Sequence, residues 1–513
     1  MTGLYSLPAQ NTNLSNGFFF DGEPYIAINP NNSNHLVVAW MSYKFGQNIV
    51  INTTVSFDRG QTWSNPVFIP HAASNNTSAD VSLDFNNNNE VFLCFIDYNS
   101  NFSSGSVVVS KSTDGGLSWN TPVEAININD DPGRYPIDRP WIAIDKSSKP
   151  SNGTIYVTST NPNEPIVNSP YHPYIAVSKD NAASFSSPRY IDTLGWEAGS
   201  IINQPMPFPA VTKNGILYAP FASWKFGQNN NIPQVILATS YNQGISFNYN
   251  KLMDITTQNT DSFAKASAMF KPNPADSNNL GLFYILETNG DMDVFMVETN
   301  DGGLSWSSPV RINDDVVSNG IMQDLAWADY DYDGDLAVCW RDRRNSGQPG
   351  YKVPTEIYCS VRPKSTATFS ANFPVSSAVA SHESVLEGNG NDFMCVELVN
   401  DTIYAVWGDV RTGKLAIWLS ITPVNTLIAD IKEIHSESTN KQLTYPNPVT
   451  DKLYIKTNAG INYFSIYDTS GKLITESKLQ GDYIDFSNYQ KGNYIVTLST
   501  KQGIVSIERV LKH

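Results

Sequence analysis

Basic residues are scarce in this chain. Of 513 residues, 33 are Lys or Arg against 49 Asp or Glu, a formal charge of −16 at neutral pH. Such a balance argues against a general nucleic-acid binder, because a phosphate backbone would be repelled at long range. An acidic ligand would need a local basic pocket. Cysteine is nearly absent: Cys94, Cys339, Cys359 and Cys395 sit in apolar runs without a C-x-x-C spacing. Zinc is therefore not expected and buried thiols are the default, with a Cys339–Cys359 bridge across neighbouring strands as the alternative. No apolar run approaches the roughly 18 residues that span a bilayer. The opening Met1-Thr-Gly-Leu-Tyr-Ser-Leu-Pro8 also lacks the basic start and apolar middle of a secretory signal peptide.

What the chain does have is an internal repeat. Ser112-Thr-Asp-Gly-Gly-Leu-Ser-Trp119 recurs as an eight-residue frame at Ser56–Trp63, Ser178–Phe185, Ser240–Phe247 and Thr299–Trp306, at intervals near those of a four-stranded propeller blade with its loops. The frame places a short Asp acceptor, a Gly able to take positive φ and a terminal aromatic in one tight turn, the requirements of a hairpin closed under a hydrophobic layer. Two copies deviate: Ala182 replaces the Gly of the third, and Asn242 the Asp of the fourth.

With Asp58, Asp114, Asp180 and Asp301 as their acids and Trp63, Trp119 and Trp306 as their aromatics, these frames match the Asp-box, or bacterial neuraminidase repeat. Over roughly residues 20 to 420 the chain resembles the sialidase-like β-propeller superfamily. That resemblance implies an all-β propeller with the boxes as structural hairpins on the face away from the substrate. Seven strand pairs, beginning with Tyr25 to Trp40 and ending with Phe393 to Trp407, predict seven blades, a six-bladed ring being the alternative. The seventh lacks a fourth strand, which Leu4–Leu7 or Phe18–Phe20 is expected to supply, closing the ring. Residues 1–424 are thus assigned to the propeller and 425–442 to a linker. Residues 443–513 alternate and turn like a small antiparallel β-sandwich. Tyr445-Pro-Asn-Pro448, Asp468-Thr-Ser-Gly-Lys472, Gly492-Asn-Tyr494 and the final Lys512 make this segment similar to the C-terminal sorting domain of type IX secretion in the Bacteroidetes. The resemblance implies export to the cell surface or medium, the secretion machinery as a partner, and a signal peptide upstream of a processed or truncated start.

Chemistry is expected on the face opposite the boxes, built by the loops that lead into and out of each strand pair. Ser42–Asn48 and Ser223–Asn229 share Lys-Phe-Gly-Gln-Asn and offer Lys44 and Lys225, either as facing cations or as solvated lysines on an ancestral loop. Arginines gather in Asp138-Arg139, Trp340-Arg-Asp-Arg-Arg-Asn345 and Trp407-Gly-Asp-Val-Arg411. Arg139, Arg343 and Arg411 are candidates to fork onto a sugar carboxylate, the alternative being a salt bridge within each loop. Glycoside hydrolysis needs a pair of acids, or in sialidases a Tyr nucleophile with an acidic partner. The face offers Glu23, Asp80, Asp97, Asp138, Asp324, Asp392, Glu287, Tyr98 and Tyr351, of which Asp138, Asp324 and Glu23 are taken as catalytic. The sialidase Arg-Ile-Pro signature is replaced by Asp21-Gly-Glu-Pro24, its nearest likeness being Arg134-Tyr-Pro136. Asp329, Asp331 and Asp333 alternate like calcium ligands in a strand-pair turn without the Glu of an EF-hand, so a solvated turn or a structural calcium is expected. No cofactor is required. The expected function is a secreted sialidase-like glycosidase or glycan-processing propeller acting on an anionic sugar; the alternative is a non-catalytic propeller that binds a glycan or glycoprotein.

Overall fold

The computed structural model describes residues 11–15, 19–46, 48–101, 103–130, 138–160, 173–192, 196–197, 207–225, 233–255, 268–382, 391–424, 443–456, 461–468, 473–500 and 503–513. The chain divides into two compact units, residues 1–431 and 432–513. Residues 425–442, read as a linker from the sequence, lie outside the described residues.

In the first unit the described residues form seven antiparallel sheets in chain order, six of four strands and one, the fourth, of five. Their second and third strands, such as Leu36–Lys44, Asn48–Ser56 and Val91–Tyr98, are rich in Val, Ile and Phe and buried along most of their length. β-branched and aromatic residues suit a pleated surface covered on both faces. The first strands, Asp21–Ile28, Thr77–Phe85, Asp138–Ile144, Ala210–Val211, Ala268–Asn273, Gln323–Tyr330 and Cys395–Val399, touch one another in that order, and the last returns to the first. This closed cycle of sheets around an axis is a β-propeller.

The closing strand is not one of the two expected. Thr12–Asn13 pairs with Ala416–Pro423, Thr12 opposite Leu419 and Asn13 opposite Trp418, and completes the seventh sheet as its outer strand. Two residues suffice because Leu14 and Ser15 then carry the chain inward: Leu14 N–H donates to Ile417 O at 2.9 Å, and Ser15 Oγ accepts from Ile417 N–H. Leu4–Leu7 and Phe18 lie outside the described residues, while Phe19 and Phe20 are not in a strand.

The repeated frame acts as a staple as well as a turn. In the first copy Ser56 Oγ accepts from Gly60 N–H at 2.8 Å, and Asp58 accepts from Thr62 N–H at 2.8 Å and from the Thr62 hydroxyl. In the fourth copy Asn242 Oδ1 accepts the equivalent Ser246 N–H at 3.0 Å, so the amide keeps the turn. In the four frames that keep it, the glycine four residues after the opening Ser or Thr meets the preceding sheet. A Cβ at Gly116 would come within 3.0 Å of Val55, and one at Gly303 within 2.5 Å of Leu237. Trp119 also reaches back, its Nε1–H donating to Thr53 Oγ1 at 3.0 Å.

The second unit has two sheets. One orders Thr444–Tyr445, Lys452–Ile455 and Tyr483–Asp485; the other orders Leu473–Lys478, Tyr463–Tyr467, Gly492–Thr500 and Gly503–Lys512. Val449, Leu453, Ile466, Phe486, Val496 and Val510 form its core.

Candidate functional site

Five first-strand segments begin with the same distortion. Glu23, Asp80, Arg139, Leu325 and Asn391 all have positive φ, between 45° and 57°. In four of the five the pairing register slips at that point, between Gly22 and Tyr25, Ala79 and Ser82, Asp138 and Trp141, and Asp324 and Trp327. These are β-bulges, which re-aim a side chain at the end of a strand. A non-glycine residue in this region carries strain of order 1–3 kcal/mol, and such residues cluster at functional sites. Here they form one layer at one end of the axis. Immediately beneath, Tyr25, Trp141, Phe208, Trp327 and Phe393 pack ring on ring across the axis, with centroids 4.9 to 6.4 Å apart.

The bulges gather carboxyls above this aromatic floor. Glu23 is hydrogen-bonded to Asp80, and Asp80 to Asp138. Arg139 N–H donates to both Asp80 and Asp138 at 3.0 Å, and its guanidinium pairs with Asp392 at 2.9 Å. Asp392 N–H in turn donates to Glu23 Oε1 at 3.2 Å. Glu23 is 2% exposed, and its Oε2 has no protein donor. Burial, then the Asp392 charge, pushes Glu23 up to about 7. Burial, then the Glu23 charge, raises Asp80 to about 7, and Asp138 also lies well above the carboxylate range through burial and its neighbour Asp80. The trio therefore holds protons near neutral pH, as like charges in contact cannot all ionise. Tyr98, half-buried beside it, is raised by burial and by the same carboxyls, so its hydroxyl stays protonated.

Of the three acids expected to be catalytic, Glu23 and Asp138 belong to this cluster. Asp324 is engaged differently. Arg341 forks onto it, Arg343 Nη1 reaches it at 3.0 Å, and the Tyr351 hydroxyl donates to it at 2.9 Å. Burial alone would raise its pKa, but the two guanidiniums outweigh that and hold the carboxyl below its usual range.

The expected arginine group does not assemble. Only Arg139 lies at the cluster. Arg343 is fully buried, donating to Asp324 and to Tyr351 O at 2.7 Å. Arg411 is tied to Asp409, Asn11 and Ser377 and lies 4.5 Å over the Trp418 ring. The physical reason lies in a neighbouring aspartate. Asp342 and Asp409 accept the indole N–H of Trp340 and Trp407 at 2.7 and 2.8 Å, and Arg344 and Arg411 neutralise them. The arginine-rich loops thus anchor buried tryptophans. Lys44 lies 3.7 Å from the Phe68 ring centre; the Lys225 side chain, residues 226–229, Gln47 and Arg134 are outside the described residues.

A cavity of about 570 Å³ occupies the other end of the axis, lined by first-strand residues of all seven sheets. It holds Lys271, paired with Asp329 at 3.1 Å and lying 3.9 Å from Glu397, which burial and Asp329 push up to about 8. Asp329 is thereby separated from its expected calcium partners. Asp331 accepts Asp401 N–H at 2.9 Å, and Asp333 pairs with Lys364. The strand ends at Tyr330 and Gly334 N–H closes a turn on Asp331 O at 2.9 Å, so the three carboxyls take separate partners, and among the described residues no three His, Cys, Asp or Glu converge on a metal position.

Sequence reasoning named Asp80 and Asp392 only as acids of the face and did not single out Arg341. The usable signal was the recurrence of an acid or Arg two residues before an aromatic, as in Glu23-Pro-Tyr25, Arg139-Pro-Trp141 and, shifted by one, Asp324-Leu-Ala-Trp327.

The closed ring of sheets defines a β-propeller, and the second unit marks it for export. Residues 443–513 match the secretion system C-terminal sorting domain, the tail that directs Bacteroidetes proteins to the surface or medium by the type IX route. No curated protein sequence matches the chain. Among solved structures it is similar to a protein of unknown function from Dyadobacter fermentans, at 16% identity over 68% of this chain and 98% of that one, with a TM-score of 0.43. It is also similar to a Hadza microbial sialidase, at 14% identity over 74% of each chain and a TM-score of 0.42. The NanB sialidase of Streptococcus pneumoniae matches at 14% identity over 82% of this chain and 71% of that one, with a TM-score of 0.40.

Proposed function

We propose that the chain is an exported glycan-processing enzyme of the glycoside-hydrolase type, with Glu23, Asp80 and Asp138 as its acid–base centre. The observation that carries this is the hydrogen-bonded carboxyl trio at the ring axis, strained into place by bulges and holding protons near neutral pH. Cleaving a glycosidic bond requires one carboxylic acid to protonate the leaving oxygen and one carboxylate to activate water or stabilise the oxocarbenium-like transition state. Glu23 or Asp80 supplies the proton, because burial keeps it on the carboxyl near pH 7. Asp392, partnered by Arg139, takes the ionised part. Asp324 holds Arg341 and Arg343 and thereby the sixth-sheet wall.

A second reading, a non-catalytic glycan or protein binder, is favoured by the arginines each sitting in an ion pair. Purified full chain is assayed on a panel of fluorogenic glycosides beside Glu23→Gln and Asp80→Asn. Release that both variants abolish, and that declines above about pH 7, is expected for the enzyme. No release from any glycoside by folded protein leaves the binding reading.

A further inference from the structure

Resting on that assignment, we infer that the sugar taken at the carboxyl cluster is uncharged, and that the site rejects sugars bearing a carboxylate. An anionic sugar needs a guanidinium or ammonium whose donors face the site and are not neutralised already. Arg139 spends its guanidinium on Asp392 and its backbone N–H on Asp80 and Asp138. Arg341 forks onto Asp324, and Arg343 is sealed from solvent against the same carboxylate. Among the described residues, five carboxyls, Glu23, Asp80, Asp138, Asp392 and Asp324, stand around this spot against three guanidiniums. One more carboxylate would meet groups that already share protons because they repel each other. Neutral hydroxyls meet the opposite situation. Asp80, Asp138 and Asp392 are half-buried beside Glu23, so their carboxyl oxygens can accept from a sugar O–H, which satisfies an acceptor and adds no charge. The half-buried Tyr98 hydroxyl stands beside the same carboxyls.

Matched sugar pairs test this, with glucoside set against glucuronide and galactoside against galacturonide, alongside a sialoside. The full chain is expected to turn over at least one neutral glycoside with kcat/KM about 100-fold or more above its uronide partner, since like-charge juxtaposition costs several kcal/mol. Equal or better turnover of a uronide or the sialoside overturns the inference and leaves the hydrolase assignment standing. Asp392→Asn, which removes the charge paired with the Arg139 guanidinium, is expected to move the uronate-to-neutral affinity ratio in calorimetric titration at least about tenfold towards the uronate; an unmoved ratio overturns the inference. Binding decides if nothing is hydrolysed. Calorimetric titration with the free neutral sugars and uronic acids is expected to show heat for a neutral sugar alone. Uronate binding, or none at all, overturns the inference.

Discussion

Glu23→Gln separates electrostatics from packing at the axis. The amide has the shape of the carboxyl and keeps an oxygen for the Asp392 N–H, now 3.2 Å from Oε1. What it removes is a proton equilibrium. Folding raises the Glu23 pKa from 4.5 to about 7, so its contribution to stability is fully present below the unfolded value and is lost as pH rises through the folded one. At about 1.4 kcal/mol per pKa unit, the wild type loses on the order of 3 kcal/mol between pH 4.5 and 8 through this residue. The glutamine variant does not titrate, and it also relieves Asp80, whose raised pKa depends next after burial on the Glu23 charge. The two proteins should therefore unfold alike near pH 4, and the variant should be the more stable at pH 8 by up to about 3 kcal/mol. Thermal scans from pH 4 to 8 read this as a gap of a few degrees that opens with pH. Parallel pH profiles, or a variant weaker at pH 8, would show that Glu23 is ionised in the fold and refute the shared-proton cluster.

Asp324→Asn removes the counter-charge of two buried guanidiniums and should cost about 3–5 kcal/mol in urea unfolding; an unshifted midpoint would mean that Arg341 and Arg343 find other partners. Cys339 and Cys359 face each other across adjacent strands of the sixth sheet and are bridged with a sequence separation of 20. Reductant or a Cys339→Ser/Cys359→Ser double variant should lower stability by about 3 kcal/mol, checked by thermal scans with and without dithiothreitol. Asp114→Asn should change stability by less than about 0.5 kcal/mol at pH 7 and Asp114→Ala by more, because Asn242 already holds the same turn in the fourth box. Hydrogen bonds lower the Asp114 pKa against burial, so the wild-type contribution is present above the unfolded value and lost as pH falls, and the asparagine variant should show a flatter acid limb. A reporter given a signal peptide and fused to residues 432–513 should leave a Bacteroidetes host, and the same reporter lacking residues 443–513 should stay in the cell, as measured by fractionation.

The legible features were those written in local chemistry. The boxes could be read because Asp, Gly and an aromatic at fixed offsets make one turn whatever surrounds it, and Asn242 shows that the turn tolerates the amide. The closing strand was misplaced because apolar content was taken as its mark. The observed Thr12–Asn13 is polar and exposed, an outer edge that needs only backbone pairing. The arginines misled for a related reason. Arg411 and Arg344 occupy equivalent places after Trp-x-Asp, and sequence alone assigns such an Arg as readily to a ligand as to the aspartate two residues before it. What decides is the buried indole N–H, which fixes the Asp and leaves the Arg to neutralise it.

The carboxyl cluster was hidden for the opposite reason. Its members come from four separate sheets and are distant in sequence, and each looks ordinary alone. Their common aim is set by backbone bulges, which appear in the sequence only as a weak recurrence ahead of an aromatic. The same recurrence explains the order along the axis. A bulge turns one residue towards the loop face, and the strand then resumes its alternation and drives the next large side chain across the axis as floor. Acid layer and aromatic floor are thus two consequences of one backbone device. A substitution that straightened the bulge at Asp80 would be expected to disturb the floor beneath the carboxyls as well as the carboxyls themselves.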